Sequence, residues 1–95
     1  MTEGDALQDL VRRAQEALDL RRVYLFGSRA RGDARKDSDI DLAFDHGSSP
    51  HAWADFVNVM QDEAPTLLDL DLIDLAQVSP ELRTRILTEG KLLYG

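Results

Sequence analysis

The sequence predicts an α+β fold: a small mixed or antiparallel sheet with helices packed on one face. Three observations carry that prediction. Asp39–Phe44 alternates, with Asp39, Asp41 and Ala43 on one side and Ile40, Leu42 and Phe44 on the other, the period of a half-buried strand. Ser49-Pro50 and Ser79-Pro80 each place a capping hydroxyl before a proline, the signature of a helix start. The connection between the first two strands is too short for a parallel crossover.

The elements follow in order. Over residues 5–19, Leu7, Leu10, Val11, Ala14, Ala17 and Leu18 repeat at helical spacing, with Thr2 or Asp5 able to cap the start. Val23–Phe26 is a short, wholly apolar strand ended by Gly27. Ser28–Arg31 forms a short helical turn, and Gly32 stops it. A polar connection, Asp33–Asp37, leads to the second strand, Asp39–Phe44. The helix from Pro50 carries Trp53, Phe56, Val57, Met60 and Ala64 on one stripe and ends at Pro65. Leu67–Leu75 is a third strand, with Asp69 and Asp71 on one face and Leu68, Leu70 and Leu72 on the other. A last helix runs from Pro80 to Gly90, and Leu92–Tyr94 adds a short edge strand. Exposed apolar residues on that helix or edge would suit a partner.

Ninety-five residues are expected to make one domain, 1–95, with no internal repeat. No apolar run approaches a membrane span, no signal region opens the chain, and cysteine is absent. A cytoplasmic protein is expected. The net charge of −7 argues against a general nucleic-acid or membrane binder. Six of the 11 basic residues (Arg21, Arg22, Arg29, Arg31, Arg35, Lys36) nevertheless fall within one 16-residue window. A local basic site on an acidic protein suits a small polyanion better than a duplex.

Asp39 and Asp41 are the chemical core of the reading. Two residues apart on a strand, they project from the same face about 7 Å apart, a spacing that lets carboxylates bracket hard cations. Without a cation, such a pair would repel and resist desolvation. Aspartate is a poor strand former, so its recurrence at Asp69 and Asp71 points to a shared acidic site rather than a solvated face. Parity leaves both Asp69 and Asp71 open as the third carboxylate, and turns Asp74 away. Two other motifs fail. Gly27-x4-Gly32 begins like a P-loop, but Asp33-Ala34 stands where Lys-Ser/Thr is needed. Asp37-x-Asp39-x-Asp41 begins like a calcium loop, but Leu42 and Ser48 replace its glycine and glutamate. His46 and His51 lack paired ligand spacing.

A Gly-Ser turn at a strand end, a spacer of about ten residues, Asp-x-Asp, and a later carboxylate together resemble the nucleotidyltransferases of polymerase-beta-like fold. The run Gly27-Ser28-Arg29-Ala30-Arg31-Gly32, then Ser38-Asp39-Ile40-Asp41-Leu42, with Leu70-Asp71-Leu72-Ile73-Asp74-Leu75 downstream, is most similar to the minimal, antitoxin-type branch. The resemblance covers nearly the whole chain. It implies that Gly27 and Ser28 hold a nucleoside triphosphate, that Arg29 and Arg31 are candidate phosphate contacts, and that Asp39 and Asp41 bind Mg2+, with two ions expected. Its apolar-Asp-apolar-apolar-Asp pattern selects Asp71 as metal ligand or general base. It further implies transfer of AMP from ATP to a hydroxyl of a protein partner, a small helical HEPN-family toxin encoded nearby. The rival expectations are a non-catalytic module that masks its partner, and transfer to a small molecule such as an aminoglycoside.

Overall fold

In a computed structural model that describes residues 3–35, 38–63 and 69–95, the elements run α1 (Glu3–Ala17), β1 (Leu20–Phe26), α2 (Ser28–Arg31), β2 (Ile40–His46), α3 (Pro50–Glu63), β3 (Leu70–Asp74), α4 (Pro80–Glu89) and β4 (Lys91–Tyr94). The strands form one mixed sheet in the order β3-β2-β1-β4. β1 is antiparallel to both β2 and β4, while β2 and β3, joined through α3, are parallel. The short β1–β2 connection therefore makes an antiparallel pair, as expected, and the helical crossover makes the parallel one.

Element limits shift from the sequence expectation where pairing decides them. α1 ends at Ala17, two residues early, with Leu18 N–H still donating to the Ala14 carbonyl at 2.8 Å. β1 and β2 extend to Leu20 and His46, past an irregularity between Leu20 and Arg22. Asp39 lies just before β2 rather than inside it. The helix end assigned to Ala64 and Pro65, the cap assigned to Thr2, and the strand start assigned to Leu67 and Leu68 lie outside the described residues. Both Ser-Pro starts form: Ser49 Oγ accepts from Ala52 N–H at 3.1 Å, and Ser79 Oγ accepts from Leu82 N–H at 3.2 Å.

The main core fills one face of the sheet. Leu10, Ala14 and Leu18 from the α1 segment and Trp53, Phe56 and Met60 from α3 pack on Val23, Leu25, Ile40, Leu42 and Phe44. Phe44 is its centre, with ring centroids 5.3 Å from Trp53 and 5.5 Å from Phe56.

The helices do not all lie on one face, which corrects the sequence expectation. α4 packs on the opposite side, where Ile86 and Leu82 meet Ala43, Leu75, Tyr24 and Phe26. The reason lies in β1. Val23 and Leu25 face the main core, Tyr24 and Phe26 face the other way, and a strand apolar on both sides needs cover on both. α4 thereby sits on the same face as Asp41, which pairs across the ladder with Phe26.

Candidate active site

The turn after β1 is built on a glycine. Gly27 has φ 73° and ψ −155°, a conformation that side chains rarely adopt, and its carbonyl accepts from Arg31 N–H at 3.1 Å to start α2. A Cβ at this position would lie 2.2 Å from Asp41 Oδ2. The backbone of the turn is thus pressed against the Asp41 carboxylate, and only glycine permits it. Gly32, left-handed at φ 82°, ends α2 as expected.

The parallel ladder sets Asp41 directly opposite Asp71. Of the two residues that parity left open, Asp71 is in register with Asp41. Asp69 precedes the strand and uses its carbonyl to accept from Ile40 N–H at 2.9 Å. The Asp41 carboxyl is held above the usual carboxylate range, first by partial burial, then by the charge and hydrogen-bonding reach of Asp71, then by Asp39. The Arg31 charge opposes the rise.

Asp39 is exposed, and its backbone is anchored. The Arg29 guanidinium donates through Nε to the carbonyls of Ser38 at 3.2 Å and Asp39 at 3.3 Å. Ser38 Oγ in turn accepts from Arg35 N–H at 2.8 Å. Arg29, expected as a phosphate contact, here fixes the entry to β2. Arg31 is exposed and pairs weakly with Asp33 at 3.4 Å.

Among the described residues no three metal-ligating side chains converge tightly enough to close around an ion as they stand. The donor set nevertheless fits a hard divalent cation: oxygen ligands only, two of them in register on adjacent strands, with one carboxyl pushed up by partial burial and then by its neighbours' charge.

Beside Gly27 a cavity of about 150 Å³ opens between β1 and α4, lined by Phe26, Gly27, Arg31, Leu82, Arg85 and Glu89. The sequence assigns the α4 residues no role at this site, because nothing local places that helix at the turn. A larger groove of about 610 Å³, between α1 and α3, contains none of the site residues.

Asp74 and His46 lie on the other face and are structural. The His46 ring stacks on Trp53 at 5.2 Å and an interplanar angle of 12°. Its Nδ1 accepts from Ser48 N–H at 3.1 Å, which leaves Nε2 to carry the ring proton. Nε2 lies 3.1 Å from Asp74 Oδ2 without hydrogen-bond alignment, so the contact is electrostatic; both side chains are buried, at 3% and 6% exposure. Asp74 is also anchored by Ala76 N–H at 2.9 Å.

The protein adenylyltransferase MntA of Shewanella oneidensis is 38% identical over 80 residues, covering 80% of this chain and 55% of that protein. The chain thus spans about half the length of this relative. A crystal structure of a toxin–antitoxin complex with AMP-PNP superposes with a TM-score of 0.75 at 27% identity, over 99% of this chain and 74% of the matched one. A tri-AMPylated Shewanella oneidensis HEPN toxin in complex with an MNT antitoxin matches with a TM-score of 0.74 over 99% of this chain and 73% of the other. At 24% identity that likeness is one of fold. The model of the polymerase beta nucleotidyltransferase family matches residues 8–95, nearly the whole sequence and every element that builds the carboxylate site, and the chain belongs to that family.

Proposed function

We propose that this chain is a Mg2+-dependent nucleotidyltransferase that moves AMP from ATP onto a hydroxyl of a protein partner, acting as the antitoxin of a HEPN-family toxin. The observation that carries the reading is the Asp41–Asp71 pair, set in register on parallel strands and seated against the Gly27 turn. A carboxyl held out of its ordinary range at a cleft is characteristic of functional sites. The support for the acceptor class comes from the relatives: a protein adenylyltransferase, and a toxin–antitoxin complex crystallised with AMP-PNP.

Gly27 and Ser28 would bind the triphosphate, since the bare glycine lets the backbone come close and the serine hydroxyl can donate. Asp39 and Asp41 would hold Mg2+, with Asp71 completing the set. Bound Mg2+ supplies neutralisation of the triphosphate charge and favours ionisation of the acceptor hydroxyl. In the transfer, the acceptor oxygen bonds to the α-phosphorus, the bond to the bridging oxygen breaks, and pyrophosphate leaves. Asp71 would take the hydroxyl proton. Arg29 serves as a positioning residue, since its guanidinium holds the carbonyls on either side of the Ser38–Asp39 bond.

The test is to incubate the protein with Mg2+, ATP and the HEPN-type protein encoded beside it, then weigh that protein by mass spectrometry. Gain of AMP mass that disappears with Asp39→Asn is the expected result. Stable binding of the partner by wild type and variant alike, with no mass gain, would overturn catalysis in favour of masking.

A further inference from the structure

Resting on the reading above, we propose that Arg85 of α4, together with Arg31, forms a cationic arm that grips the terminal phosphates of the donor nucleotide and then the departing pyrophosphate. The two guanidinium groups line the same small cavity, and the Gly27 backbone forms its wall toward the carboxylates. Gly27 lines the cavity and a Cβ on it would lie 2.2 Å from Asp41 Oδ2, so the cavity and the carboxylate pair share one wall. Arg85 is exposed, and no hydrogen bond or ion pair engages it among the described residues. Glu89 lies one turn further along the same helix without pairing to it. An arginine left unpaired beside a cleft, on a chain of net charge −7, offers local complementarity to a polyanion.

The placement follows from the fold. Leu82 and Ile86 anchor α4 on Tyr24, Phe26 and Ala43, which brings Arg85 to the turn that follows β1. A phosphate on the carboxylate side of Gly27 would have its outer oxygens facing this arm. Arginine suits the role because its planar fork can donate twice to one phosphate. Phe26 and Leu82 give the same cavity an apolar lining beside the two arginines.

The experiment measures binding of Mg2+·ATP, Mg2+·AMP and inorganic tripolyphosphate by calorimetry to wild type, Arg85→Ala and Arg85→Lys, with Asp41→Asn alongside. Loss of a charge-assisted contact predicts at least about tenfold weaker ATP and tripolyphosphate binding in Arg85→Ala, with AMP unchanged and partial recovery in Arg85→Lys. Because Arg85 is exposed, matched circular dichroism and melting curves are expected for all the variants at this position. ATP binding that depends on Asp41 but not on Arg85 would overturn the arm and leave the proposed function standing. Equal weakening of AMP and ATP would also overturn it, assigning Arg85 to the nucleoside instead. A wild type that binds neither ATP nor tripolyphosphate would overturn both readings.

Discussion

Asp41→Asn is expected to make the metal-free protein more stable while removing its response to Mg2+. Asp41 and Asp71 are ladder partners on parallel strands, whose axes lie about 4.8 Å apart. Two unit charges at that distance repel by roughly 1 kcal/mol in water and about 3 kcal/mol at an effective dielectric constant of 20. Asp41 is only partly buried, so screening favours the lower figure, about 1 kcal/mol. The pH dependence has a definite sign. The folded carboxyl binds its proton more tightly than the unfolded one, whose ordinary value is 3.8. Its contribution to stability is therefore complete below that value and is lost as pH rises through the folded-state value. Asparagine cannot ionise and escapes this loss. Urea denaturation of both proteins without metal, at pH 4 and pH 8, should show the variant's advantage growing with pH to about 1 kcal/mol. For a chain of this size that corresponds to roughly 4–8 °C in melting temperature. Adding Mg2+ should stabilise wild type and leave the variant unmoved. A variant less stable than wild type at pH 8 without metal, or an advantage that ignores pH, would refute the reasoning.

Three further outcomes are expected. Gly27→Ala should cost about 1–3 kcal/mol in denaturation for its positive-φ, extended-ψ backbone, and should depress nucleotide binding because its Cβ must displace the Asp41 carboxylate. Asp71→Asn should lower AMP transfer by at least about 100-fold and, by relieving the same repulsion, raise the metal-free melting temperature as Asp41→Asn does, whereas Asp69→Asn should stay near wild type; rates measured side by side decide between the two aspartates. His46→Ala should destabilise by about 3 kcal/mol in urea titration, because it strips the ring from Trp53 and leaves the Asp74 carboxylate buried without its partner.

The parts of the site that depend on local sequence were legible, and those that depend on register were not. Strand alternation put Asp39 and Asp41 on one face, and the glycine after β1 marked the turn, since both are period and backbone effects within a few residues. The choice between Asp69 and Asp71 was different. Parity is identical for the two, the family resemblance alone favoured Asp71, and the parallel pairing of β2 with β3 brings Asp71 opposite Asp41. Asp74 and His46 are 28 residues apart and become neighbours through the same pairing. A second role for Arg29 was not legible: a guanidinium beside a Gly-Ser turn suggests phosphate, and the fold adds that it donates to the Ser38 and Asp39 carbonyls, a contact set by tertiary structure.

The position of α4 joins fold and site most closely. Its apolar side is narrow, chiefly Leu82 and Ile86, and does not announce which face of the sheet it covers. The information lay instead in β1, where four consecutive apolar residues from Val23 to Phe26 cannot all point into one core. Covering the second face requires an element on the carboxylate side, and α4, which follows β3, takes that place. The same burial demand that satisfies Tyr24 and Phe26 therefore delivers Arg85 to the Gly27 turn. A helix that covers this face of the sheet also shapes the wall of the site, so substitutions at Leu82 or Ile86 should disturb nucleotide binding as well as stability.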